Sequence, residues 1–244
     1  MSVRRTIATA GRVLSQIRHD PRTIGLLLVV PSLLIGLLAW IFNETPVFNQ
    51  AGPAVLALAP FSIMFVVTSM TTLRERRTGT LERLFTLPIS KLDIILGYAL
   101  AFGLLAILQA GVAVGFSVWV FGLEISGSLV WLLVIAVVDA ILGTALGLLA
   151  SAFANTEFQV AQFMPAFIFP QMLLGGLFLP RDQMPDALHV ISDWLPLSHA
   201  IDALNAVARD SEDTAYLWMK LLIILAFIVG AITLGAVTLR RRTP

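Results

Sequence analysis

An all-α, polytopic membrane fold is predicted by three features of the sequence. Apolar residues make up 58% of the 244-residue chain and charged residues only 13%, with a mean hydropathy of +0.90. A water-soluble domain of this size needs more polar surface. The apolar residues fall in six long runs, each near the roughly 17–25 residues that cross a bilayer as a helix. The arginines cluster in the segments between alternate runs. Cysteine is absent, which excludes disulfides and thiolate metal sites.

Residues 1–23 read as an amphipathic interfacial helix. Val3, Ile7, Leu14 and Ile17 form one face and Arg4, Arg5, Arg12 and Arg18 the other. No small-residue cleavage pattern follows, so the first apolar run reads as a retained span. Spans are expected over 24–42, 53–72, 94–121, 129–153, 157–179 and 215–239. Breaks fall at Asn43–Pro46, at Gly122 with Ser126–Ser128, and over 180–214. That last segment carries two apolar faces, Leu188/Ile191/Trp194/Leu195 and Ile201/Leu204 with Val207 or Ala208. It reads as two short helices dipping back toward the membrane. The whole chain forms a single transmembrane domain.

Sidedness follows from the basic residues. Of sixteen, thirteen lie before span one, between spans two and three, or after span six. The opposite side holds Arg181 and Arg209, with Lys220 near the end of span six. The positive-inside bias places both termini and residues 73–93 in the cytoplasm. The expected location is an integral protein of a prokaryotic cytoplasmic membrane.

The segment Leu73–Ser90 is too charged for hydrocarbon. Within it Leu81, Leu84 and Phe85 share a helical face, Thr78 or Thr80 can cap the start, and Pro88 ends the helix near Leu87. The expectation is a short cytoplasmic helix over 78–87 that offers Glu82 and Arg83 to a soluble partner. The only lysines, Lys91 and Lys220, follow no Gly-x-x-x-x-Gly pattern, so the chain has no P-loop and carries no nucleotide itself. No catalytic set and no nucleic-acid patch stands out. His189 and His199 lack a supporting metal-ligand cluster.

The run Glu75-Arg-Arg-Thr78-Gly79-Thr80-Leu81-Glu82-Arg83-Leu84, followed by Thr86-Leu-Pro88-Ile-Ser90, resembles the cytoplasmic signature of type-2 ABC exporter permeases. Asn155-Thr-Glu157-Phe-Gln159, Pro170, Gly175-Gly-Leu-Phe178-Leu-Pro180, Met184-Pro185 and Leu195-Pro-Leu197 resemble the same family's fifth span and outer re-entrant helices. The resemblance covers essentially the whole chain. It implies a permease that dimerises with a second copy or a paralogue. It also implies a separate ATP-binding subunit, carrying ATP and Mg, that docks on the coupling helix. Glu75, Thr78, Gly79, Thr80, Leu81, Glu82, Arg83, Leu84, Phe85 and Pro88 are the docking residues so implied. The cargo would be a hydrophobic or amphiphilic drug or lipid-like molecule, exported past Phe61 and Phe65 of span two and Phe163 and Phe167 of span five.

Asp139 sits mid-span. Gly143, Gly147 and Ser151 follow it at four-residue steps, a stripe that lets helices pack closely. It reads either as a neutral or hydrogen-bonded interhelical group or as a relay or cargo contact. The second reading admits an ion-coupled secondary transporter or channel as the alternative function. Other intramembrane acids, which a proton pathway needs, are few. Glu157 at the start of span five is explained by the helix dipole.

Overall fold

The computed structural model describes residues 2–42, 46–78, 90–209 and 213–238. Their regular elements are all helical: α1 (Val3–Arg18), α2 (Pro21–Ile41), α3 (Val47–Arg77), α4 (Lys91–Gly115, continued by a π turn over Phe116–Val120), α5 (Leu129–Phe153), α6 (Glu157–Leu174), a 3₁₀ turn at Arg181–Gln183, α7 (Asp186–Asp193), α8 (Pro196–Ala208) and α9 (Thr214–Thr238). Five segments among the described residues are long and apolar enough to cross a membrane: Pro21–Ile41, Val47–Arg77, Asp93–Val120, Leu129–Phe153 and Thr214–Thr238.

Helix starts follow local chemistry. Asp20 caps α2, accepting from the amides of Arg22 and Thr23, with Pro21 in the first turn. The Thr23 hydroxyl and amide, then the Arg22 amide and charge, hold the Asp20 carboxyl below its ordinary range. Ser90 and Asp93 form a reciprocal capping box at the head of α4. Thr156 caps α6 through the Gln159 amide.

The centre of the bundle is α3 on α5. A Cβ on Gly143 would meet the carbonyl of Phe61 at 2.3 Å, and one on Gly147 the carbonyl of Phe65 at 2.6 Å. Backbone therefore lies against backbone, and because both pairs step the same way, α3 and α5 run parallel. Trp131 against Trp218 and Leu149 against Gly235 give α9 that direction too. These three helices share one starting end. There the 121–128 loop donates from Ser126 and Gly127 to the last carbonyls of α8, and from Glu124 to Asn49 of α3. The opposite end gathers α1, the last turn of α3 and the heads of α4 and α6.

Two elements differ from the sequence expectation. α3 has 31 residues, about 46 Å at 1.5 Å per residue, and runs well past Thr72. α6 has 18 residues and stops at Leu174, not Leu179; it is not among the five segments long and apolar enough to cross. A Cβ on Gly175 would meet the Ile201 side chain at 2.8 Å, and Gly176 adopts φ +92°, so the chain turns away where α8 blocks it. Phe65 packs tilted against Phe167 at 5.8 Å and Arg74 meets Glu157, and the two pairs together set α6 antiparallel beside α3. Extending that register leaves α6 about 16 Å short of the α3 start. The buried α8, whose Leu197 amide donates to the Gln171 side chain, fills the depth that α6 leaves.

Gly143→Ala should lower thermal stability in detergent by about 1–3 kcal/mol, since the Phe61 backbone must move. Gly103→Ala, with open space at its Cβ, should leave the melting curve unchanged or slightly raised.

Candidate functional site

The last described turn of α3 joins most of the helices at its end of the bundle. Residues 74, 75 and 76 point about 100° apart around the helix axis, so each reaches a different neighbour. Arg74 pairs with Glu157 at the head of α6, Nε to Oε1 3.0 Å. Glu75 turns inward and accepts from Arg12 of α1 at 2.8 Å and from the Tyr98 hydroxyl of α4. Arg76 donates to the Ser151 carbonyl in the last turn of α5.

These links differ in strength. The Arg74–Glu157 pair is exposed on both sides, so it is worth about 0.2–1 kcal/mol. Glu75 is 7% exposed and Tyr98 2%. The Arg12 guanidinium donates to both, 2.8 Å from the Tyr98 oxygen, and lies 5.7 Å from its ring centroid. Burial works against the Arg12 charge, but the Glu75 carboxylate and the Tyr98 oxygen more than offset it and hold the guanidinium above its ordinary pKa.

α1 is drawn into the same site. Its buried face is Thr9, Ala10, Val13 and Ile17, pressed on α4 so closely that a Cβ on Gly97 would meet the Thr9 side chain at 2.6 Å. The Ser2 amide donates to Asp93 at 2.8 Å. Of the expected apolar face, Val3 and Ile7 stay 70% and 58% exposed, as a face turned to a membrane would be, while Ile17 packs inward; Arg12 leaves the expected basic face to meet Glu75. Helix–helix packing through small residues and one buried ion pair outweighs the simple apolar-versus-basic division.

Of the residues expected to dock a partner, Glu75 is committed inside the chain, and Thr78 closes α3 with its hydroxyl on the Glu75 carbonyl at 3.3 Å. Gly79, Thr80, Leu81, Glu82, Arg83, Leu84, Phe85 and Pro88 lie outside the described residues.

The expected aromatic path divides. Phe61 and Phe65 are fully buried between α3 and its neighbours and line no open surface of this chain. Phe163 is half-buried and Phe167 is 41% exposed. Asp139 is fully buried on α5, and both of its carboxyl oxygens lack a hydrogen-bond partner among the described residues. The same is true of both polar atoms of Gln109 on α4.

At the opposite end a charge cluster joins residues that the sequence shows only singly. Arg181, 7% exposed, donates to Ser192 at 2.6 Å and to Asp193 and Asp202. Lys220 of α9 donates to Asp202 at 2.8 Å and lies 3.3 Å from His199 Nδ1. His199 Nε2 faces the Asp193 carbonyl at 2.9 Å. These contacts require a neutral ring, with Nε2–H donating and Nδ1 accepting from Lys220. The cluster fastens α7 and α8 to α9. Among the described residues no three His, Cys, Asp or Glu side chains converge as metal ligands.

Arg12→Ala and Glu75→Ala should couple in a double-mutant cycle by about 0.5–3 kcal/mol. Glu75→Gln should speed amide exchange across Val3–Arg18. At the other end, His199→Ala should speed amide exchange in Pro196–Ala208, because Lys220 and the Asp193 carbonyl would each lose a partner.

The sequence model of the family described as "ABC-2 type transporter" matches residues 5–208, which include the first cluster and all of the second but Lys220. The probable multidrug ABC transporter permease YbhR of Escherichia coli is 26% identical over 69% of this chain and 46% of its own length. The linearmycin resistance permease protein LnrN of Bacillus subtilis is 27% identical over 77% and 49%. ABC transporter G family member 20 of Dictyostelium discoideum is 24% identical over 78% and 26%. The chain thus spans a quarter to a half of the length of these curated relatives. With a family match over most of its length and an all-helical fold with five membrane-length segments, the chain belongs to the ABC-2 type transporter family.

Proposed function

We propose that this chain is the membrane permease of an ATP-driven exporter, with ATP bound and hydrolysed by a separate nucleotide-binding subunit. The observation that carries the reading is the last turn of α3. Arg74, Glu75 and Arg76 grip α6, α1 with α4, and α5, immediately before the segment 79–89 that carries Glu82 and Arg83. A subunit that pulls on that segment moves α1, α4 and α5 together with α3, with α6 tied to them only by the exposed Arg74–Glu157 pair. Residues 78–87 form the coupling helix in this reading, and the basic end of the bundle faces the cytoplasm by the positive-inside rule. α6, with α7 and α8 completing its depth, supplies the remaining crossing of a six-pass layout. Two copies, or this chain and a paralogue, enclose the pathway.

The cargo is a hydrophobic or amphiphilic molecule. The exposed side of α6 supports this with Phe167 and Phe169, 41% and 55% exposed, and Gln162 is exposed on the same helix. The relatives' names, a multidrug permease and a linearmycin resistance permease, point the same way. Phe61 and Phe65 act in this reading as the packed wall behind α6.

The test is nucleotide-dependent transport in vesicles holding the permease with its ATPase. Gly79→Pro and Glu82→Arg should leave ATP hydrolysis measurable while transport falls at least about tenfold, the loss of about 1.4 kcal/mol of coupling. Transport driven by a proton gradient without the ATPase would overturn the reading.

A further inference from the structure

α2 is the least enclosed of the membrane-length helices, and one side of it forms a groove against α4. Leu28, Leu33, Leu37 and Trp40 of α2 face Phe116 and Val120 of the π turn across about 880 Å³. The floor is closed where Gly36 meets Phe121, since a Cβ there would lie 2.7 Å from that ring. Ser32 is the one hydroxyl in the lining, and it donates to the Leu28 carbonyl at 3.0 Å, so the walls leave no hydroxyl seeking a partner. An occupant with hydrogen-bonding groups along its length would lose them to water-free surroundings.

Three dimensions select the occupant. From Leu28 to Trp40 the groove runs about 18 Å along the helix, close to the roughly 15 Å hydrocarbon depth of one leaflet. A helix about 10 Å across would occupy roughly 1,400 Å³ over that length, more than the groove holds. Trp40 and Trp119, 79% and 76% exposed, stand at the end remote from α1. Indoles of that kind mark the headgroup level and offer N–H donors there. We infer that the groove holds one acyl chain of a bilayer phospholipid from the leaflet opposite α1, with its headgroup beside Trp40 and Trp119. The assignment rests on α2 and α4 crossing a membrane, and on neither the cargo nor the energy source proposed above.

The π turn gives the groove its width. A π turn places five residues, Phe116–Val120, where an α-helix would turn in fewer, and swings Trp119 back over Gly115, 3.4 Å from where a Cβ there would stand. Phe116 and Val120 are left facing α2 instead of filling the space between the helices.

The test uses the intact transporter from palmitoyl-oleoyl phosphatidylglycerol nanodiscs, with retained lipid counted by native mass spectrometry after transfer to mild detergent. Leu33→Trp fills the groove from a side chain that is already 52% exposed, and Val229→Trp on α9, 63% exposed, is the matched control outside it. The wild type and Val229→Trp should keep one tightly held phospholipid per chain. Leu33→Trp should lose it about tenfold, the effect of denying the chain two methylenes. Equal retention in all three would overturn the assignment. So would oxidative cross-linking of Leu33→Cys into a covalent dimer in this cysteine-free chain, because a second copy would then cover the groove. Lipid retention is read without nucleotide or transport, so failure of the exporter reading does not alter it.

Discussion

The buried Glu75 carboxylate is the constraint on which one end of this molecule depends. A carboxylate in that position is costly unless it is paired and hydrogen-bonded. Arg12 and Tyr98 supply both needs, and they come from two other helices. Satisfying Glu75 therefore fixes α1 across the ends of α3 and α4. Its neighbours Arg74 and Arg76 then fall by helical periodicity on α6 and on the last carbonyls of α5. The contacts with α1, α4 and α5 are the stronger ones, while α6 is held at this end by an exposed pair. A displacement applied here passes to α1, α4 and α5 as a unit and leaves α6 freer to move against them.

The far end is organised by the same logic with the charges reversed. There the buried cations Arg181 and Lys220 collect Asp193, Asp202 and His199 around them. The two ends are connected by backbone contact between α3 and α5 at Gly143 and Gly147, which leaves no side-chain layer to absorb sliding. A rigid pair of parallel helices, pinned at one end by Glu75 and carrying α8 and the 121–128 loop at the other, is the mechanical axis of the fold.

Much of the helical layout was legible because apolar run length depends on composition alone, and the Gly143/Gly147/Ser151 stripe announced a close helix contact. The faces of α1 were not. Its packing is decided by Gly97 of α4 and by the Arg12–Glu75 pair, both remote in sequence. Glu75 looked like one more charge in a cytoplasmic arginine run, and only its position on an extended α3 reveals that it points inward. The early stop of α6 is half-written in Gly175-Gly176, but the contact of Ile201 with Gly175 that closes it comes from a remote segment. The Arg181, Asp202 and Lys220 cluster joins three separate segments, so each residue alone resembled an ordinary surface charge.

The length of α3 has a further consequence. About 46 Å of helix exceeds the roughly 30 Å hydrocarbon core, so one stretch of it stands in water or among headgroups. The part that stands clear at the arginine end is braced by α1 and α4. A protein that seats itself on the following segment meets a stiff post, with the entropy of ordering that post already spent in folding. Under the proposed docking, recognition at this end would be pre-organised, and its binding energy would be available for motion instead of being consumed in ordering the post.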